Sequence, residues 1–292
     1  YTPDDGNVRG IVQIVHGMAE YVERYENLAE FLTKRGILVT GEDHLGHGKS
    51  VSEGGSFGYF CEQDPATVVV RDVHRLKKIT EEQYPKVPYI ILGHSMGSFI
   101  ARNYLCRYGS GIGGAVIVGT GMQSAGLIFA SKAMAGIQKL FCGSKHVSHF
   151  IDKAAFGGYN KRIDSPRTSS DWLSRNTENV DRYIEDELCG FTFTVNGFQT
   201  LFELIRRLQK QENLEKVPQN LPILMVSGAE DPVGDYGKGV HQACDSLKRA
   251  GVKNITVKLY ENDRHELLNE DDAEVAMEDI WQWICKEIPG IA

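Results

Sequence analysis

Apolar residues in this chain gather in short runs, separated by longer stretches of helical spacing. "IVQIV" (11–15), "ILVT" (37–40), "YIIL" (89–92), "AVIV" (115–118), "ILMV" (223–226) and "ITVKLY" (255–260) are short, β-branched and bounded by glycine or proline, which predicts strands. Their near-continuous apolar character suits parallel strands buried on both faces. Between them, Tyr21, Tyr25, Leu28 and Leu32 form one helical stripe, Val69, Val73 and Leu76 a second, and Ala276, Ile280 and Ile284 a third. Asp64 is the expected N-cap of the second stripe, with Pro65 at its first helical position. This strand–helix alternation predicts a doubly wound, mostly parallel α/β sheet with helices on both faces.

The alternation breaks between about residues 122 and 200, where no buried strand stands out. A helical pattern opens the segment, but Leu127, Ile128, Met134, Ile137, Leu140 and Phe141 exceed what a one-sided surface helix needs. Leu127, Ile128 and Phe129 are consecutive and cannot all face one core. The length is too great for an irregular connection. The expectation is therefore an inserted, mainly helical cap over 122–200, between core segments 1–121 and 201–292. Its apolar surplus suggests a tunnel or lid for an acyl chain and transient contact with lipid surfaces.

Composition narrows the function. A net charge of −7 argues against nucleic-acid binding. The six cysteines (Cys61, Cys106, Cys142, Cys189, Cys244, Cys285) form no C-x-x-C pair, which predicts reduced, mostly buried thiols in a cytoplasmic protein. No apolar stretch is long enough to span a membrane. Nothing in the pattern specifies an oligomeric state.

The string G-x-S-x-G occurs twice, around Ser56 and around Ser95. Roughly one chance match in ten chains of this length is expected from average composition, so context decides. Ser95 follows the strand "YIIL" and precedes a helical pattern, the strand–turn–helix setting of a nucleophile elbow. Ser56 lies in a polar glycine-rich loop and reads as structural.

A serine nucleophile needs a base and an orienting acid, which in this architecture follow in the order acid, then histidine, after later strands. The loop "SGAEDPVGD" beyond "ILMV" offers Asp231, with Glu230 and Asp235 as rivals. The loop "ENDRHELLNE" beyond "ITVKLY" offers His265, at the start of the last helical pattern. H-E-x-x-H fails because position 269 is Asn. His44 and His47 could shape the mouth of the site, and His94 is the variable residue of the elbow. Acyl chemistry also needs an oxyanion hole. The amides of Met96, after the nucleophile, and Met18, in "IVQIVHGMAE", are the expected donors. No cofactor or metal is expected.

At these residues the sequence resembles the monoacylglycerol lipase and lysophospholipase branch of the α/β-hydrolases, which includes serine-aminopeptidase-like hydrolases. The resemblance runs through "HGMAEYVERYENLAEFLTKRG", "DHLGHGKS", "GHSMGS", "GAEDPV" and "RHELLNE". Many members carry glycine where this chain has Ala19. The resemblance implies an α/β-hydrolase fold and cofactor-free hydrolysis of fatty acyl esters by Ser95, Asp231 and His265, with Met18 and Met96 as oxyanion donors. A monoacylglycerol or lysophospholipid-like monoester is the expected small-molecule partner. A short-chain or aromatic acyl ester, or a peptide amine, stays open as an alternative. A non-catalytic binding protein of this fold is disfavoured, because all three triad residues are present.

Overall fold

The computed structural model describes residues 1–291. All six expected strands form: β1 Gly10–Val15, β2 Ile37–Gly41, β3 Tyr89–His94, β4 Gly114–Val118, β5 Ile223–Gly228 and β6 Ile255–Tyr260. They pair in parallel throughout, in the order β2-β1-β3-β4-β5-β6. β1, β3, β4 and β5 are buried throughout, as their apolar runs require, and β2 is buried at 37–39 and half-buried at 40–41. β6 is one of the two edge strands, at the opposite side of the sheet from β2. Its alternation of exposed Thr256 and Lys258 with half-buried Ile255, Val257 and Leu259 is the pattern of one-sided burial.

Among the described residues, ten α-helices accompany the strands: α1 Glu26–Thr33, α2 Pro65–Gln83, α3 Met96–Tyr108, α4 Ala125–Cys142, α5 His149–Phe156, α6 Thr177–Glu185, α7 Val195–Leu208, α8 Gln211–Leu214, α9 Lys238–Arg249 and α10 Ala273–Glu287. Two apolar cores result, one per sheet face. One packs Ile11, Ile91, Ile117 and Met225 under α2, α3, α7 and α9, and the other packs Val12, Leu92, Val116 and Leu224 under α1 and α10. The third stripe is buried in full, as are Tyr25, Leu28 and Leu32 of the first. Asp64 does precede α2, but it takes φ 40 and makes no side-chain cap bond, and its carboxylate pairs with Arg207 instead.

Between β4 and β5 the chain is helical, with no strand beyond an isolated bridge from Val147 to Thr194. Two expectations are corrected here. Residue 200 falls within α7, whose apolar face packs on α2 and α3 of the core while it also receives α4, so this helix is shared between core and insertion. The surplus apolar side chains of α4 line no tunnel. Ile128 and Ala135 face α7, but Leu127, Phe129, Ile137, Leu140 and Phe141 are exposed, Phe141 by 85%. α4 has one packing partner of any extent and turns a second apolar face outward, and Phe150 of α5 is exposed as well. All six cysteines are unpaired, but only Cys189 and Cys244 are buried and Cys142 is exposed.

Candidate active site

The carboxyl ends of β1, β3, β4, β5 and β6 lie along one sheet edge, where open α/β folds place their ligands. Ser95 stands between β3 and α3 with φ 55 and ψ −121, a conformation that costs a non-glycine residue about 1–3 kcal/mol. Its N–H is anchored 3.0 Å from the Val118 carbonyl. The turn is possible only because its flanks are glycines. A Cβ on Gly97 would strike the carbonyl oxygen of Val15, and one on Gly93 the carbonyl of Gly97. Ser95 remains partly exposed, whereas Ser56 sits in an exposed polar turn away from any strand end.

Of the three acids beyond β5, Asp231 is buried and Glu230 and Asp235 are exposed. Asp231 Oδ2 lies 3.0 Å from His265 Nδ1, and Asp235 approaches Lys238 instead. Asp231 also accepts from the Val233 N–H (2.8 Å) and the Ser227 hydroxyl (3.2 Å). With Nδ1–H given to the carboxylate, His265 Nε2 is left as the basic nitrogen. His265 is in the loop before Leu267–Asn269 rather than on the last helix, which starts at Ala273. Its ring packs against the loop after β4, where a Cβ on Gly119 would lie 3.1 Å from His265 Cε1. No hydrogen bond joins Ser95 to His265 among the described residues.

The Gly17–Met18 loop lies beside the serine, since a Cβ on Gly17 would come within 3.2 Å of Ser95 Cβ. Among the described residues, neither the Met18 nor the Met96 amide donates to a protein acceptor. Ala19 takes φ 53, a left-handed conformation that glycine adopts more readily. His44 and His47 do not shape the mouth. They are buried with His16 beneath the loop, ring centroids 4.0 and 5.2 Å from His16. Burial pushes His16 well below the ordinary histidine range, His44 to about 4 and His47 to about 3, so all three are neutral supports.

A buried ionic network escaped the sequence reading. Glu20 accepts from the Gly17 N–H (2.5 Å), the Tyr25 hydroxyl (2.7 Å) and Arg24 (2.9 Å). Arg24 also grips Glu266 through two bonds of 2.6 and 2.8 Å, and Asn179 of α6 donates to Glu266 at 2.6 Å. Residues next to the Gly17–Met18 loop, residues next to His265 and a helix of the insertion are thus tied together. Burial opposes both glutamate charges, but hydrogen bonds and Arg24 outweigh it and hold both carboxyls below their usual 4.5. Their contribution to stability is therefore complete above pH 4.5 and is lost as the pH falls below it. Arg24→Met, which leaves two buried carboxylates without their cation, is expected to cost about 3–5 kcal/mol in urea unfolding at pH 7. The deficit should shrink below pH 4.5, and a constant deficit across pH 3–7 would refute the electrostatic account.

The insertion covers His265. Trp172 stands 5.1 Å from the His265 ring, with Tyr159 edge-on behind it at 4.9 Å. Its segment is fastened by Arg175 to Asp263 (2.6 Å) and by Ser174 to Glu270 (2.8 Å). Among the described residues, no group of three or more His, Cys, Asp or Glu side chains could hold a metal ion, and no helix is long and apolar enough to cross a membrane.

A family model described as serine aminopeptidase, S33, matches residues 6–272. The chain belongs to this family of α/β-hydrolases. Its similar proteins place it with the monoacylglycerol lipases of that fold. A monoglyceride lipase of Rattus norvegicus is 28% identical over 272 residues, covering 92% of this chain and 80% of the relative. A monoacylglycerol lipase of Mycolicibacterium smegmatis is 27% identical over 289 residues, covering 99% and 92%. A thermostable carboxyl esterase of Bacillus coagulans, solved in complex with glycerol, superposes with a TM-score of 0.92 at 31% identity, covering 100% of this chain and 93% of that one. As a member of this α/β-hydrolase group, the chain is a carboxylic ester hydrolase.

Proposed function

We propose that this hydrolase cleaves fatty acyl monoesters of the monoacylglycerol or lysophospholipid type through an acyl-enzyme on Ser95. The observation that carries the reading is the buried Asp231–His265 pair at 3.0 Å, on the same sheet edge as the strained Ser95. Ser95 Oγ attacks the acyl carbonyl while His265 Nε2 takes its proton. The oxyanion faces the Met18 and Met96 amides. Collapse breaks the ester bond, and the proton on His265 leaves with the alcohol. Water then attacks the acyl-enzyme with His265 again as base, which releases the acid and restores Ser95. Asp231 holds the imidazole in the productive tautomer and stabilises its cation.

The relatives named as monoglyceride lipases support the substrate class. So does the outward apolar face of Leu127, Phe129, Ile137, Leu140 and Phe141, together with exposed Phe150, which suits an insertion that rests on a lipid surface while an acyl chain enters. Peptide amine recognition is disfavoured, because the buried acids flanking the site, Glu20, Glu266 and Asp231, are all engaged by internal partners.

Two measurements test this. Catalytic efficiency on nitrophenyl esters should rise from acetate to at least octanoate, since each buried methylene is worth roughly 0.8 kcal/mol, about fourfold. Phe129→Ser with Leu140→Ser should lower activity on emulsified monoacylglycerol and leave hydrolysis of dissolved nitrophenyl acetate unchanged. A profile that peaks at acetate and an indifferent double variant would promote the short-chain esterase.

A further inference from the structure

His94 precedes the nucleophile and has a role that the triad leaves unexplained. It is 5% exposed, and its ring centroid lies 4.7 Å from that of His265. His94 Nε2 is 3.1 Å from the backbone carbonyl of His265. A carbonyl only accepts, so Nε2 carries a proton. His94 Nδ1 faces the Tyr25 hydroxyl at 2.8 Å and Glu20 Oε1 at 3.4 Å. Tyr25 has one proton and sits 2.7 Å from Glu20 Oε1, its shortest contact. If that proton goes to the carboxylate, Nδ1 must donate to the tyrosine oxygen. The reverse arrangement turns the Nδ1 lone pair toward a carboxylate and removes a donor from it.

We propose that His94 is a positioning residue held as an imidazolium, fastened to Glu20 and Tyr25 on one side and carrying the backbone of His265 on the other. The proposal rests on the reading of Ser95, His265 and Asp231 as the triad. Counting charges supports it. Glu20 and Glu266 bring two negative charges to the network and Arg24 one positive, so a His94 cation completes the balance. The other histidines nearby, His16, His44 and His47, are neutral. Burial disfavours the charge on His94, yet the hydrogen bond and charge of Glu20, with Glu266 behind it, raise its pKa above the histidine norm. Through these bonds His94 ties the elbow to the histidine loop on one side and to Glu20 and Tyr25 on the other.

Nitrogen-15 spectroscopy of the histidine rings in the wild-type enzyme at pH 7.5 tests the protonation directly. The His94 resonances are assigned by their loss in His94→Gln, or by their displacement in Tyr25→Phe if the first variant does not fold. Two protonated ring nitrogens are expected, and one unprotonated nitrogen overturns the proposal. Kinetics test the positioning. Gln at 94 keeps a donor for the His265 carbonyl but loses the charge and the tie to Glu20, so kcat should fall several-fold while KM hardly moves. An unchanged kcat overturns the role. If Ser95→Ala kept full esterase activity, the triad reading would fail, while the nitrogen shifts would still judge His94 separately.

Discussion

Ser95→Ala is expected to lower ester turnover by on the order of 10⁴-fold or more, with KM and the unfolding midpoint little changed. The magnitude, about 5.5 kcal/mol of activation free energy, is the difference between an acyl-enzyme route and slow attack by water in an otherwise intact site. The strain at Ser95 strengthens the argument. A residue held at φ 55 with ψ −121 is retained where the surroundings over-determine it, and here Gly93, Gly97 and the Val118 carbonyl do so. Alanine keeps that backbone, so the loss reports the hydroxyl. Ser56→Ala, in its exposed turn, should stay within error of wild type. Labelling by a fluorophosphonate gives a second readout, stoichiometric in wild type and Ser56→Ala and absent in Ser95→Ala. Equal losses from the two serines, or labelling that survives Ser95→Ala, would remove the nucleophile assignment.

The strands were legible because a parallel strand covered on both faces must be apolar at nearly every position, and runs such as "YIIL" have no other economical reading. The elbow was legible for a steric reason, since only glycines fit at 93 and 97. What stayed hidden depends on contacts between distant positions. Glu20 and Arg24 stand four residues apart, but His94, Asn179 and Glu266 come from three other, distant places in the chain. Tyr25 looked like one member of an apolar stripe, which its ring is, while its hydroxyl serves the network. Glu266 looked like half of a failed zinc motif, but it is the anchor of Arg24. The direction of the α4 surplus was equally hidden. Periodicity shows that Leu127 and Phe129 lie to either side of Ile128, and only packing shows that α7 takes Ile128 and leaves the others outward. The limit at residue 200 failed because α7 is apolar enough for the core on one side and for α4 on the other.

Asp231→Asn should lower kcat by on the order of 10⁴-fold while the fold and the labelling site remain. The carboxylate accepts three hydrogen bonds, from His265 Nδ1–H, Val233 N–H and the Ser227 hydroxyl. An asparagine keeps the shape, but its amide can place an NH₂ where the carboxylate oxygen faced the imidazole. His265 would then accept at Nδ1 and carry its proton on Nε2, where it cannot take the proton of Ser95. The imidazolium of the transition state also loses its counter-charge in a site where His265 is 2% exposed and Asp231 is not exposed at all. Both effects act on turnover and leave substrate contacts untouched, so KM should hardly move. Asp235→Asn and Glu230→Gln provide the contrast. Both side chains are exposed and neither reaches the histidine, so each should change turnover by less than about threefold, as surface substitutions do. Steady-state kinetics of the three variants on one nitrophenyl ester, with circular dichroism to verify folding, decides the matter. A larger loss from Asp235→Asn than from Asp231→Asn would move the acid four residues along the loop and undo the triad as drawn.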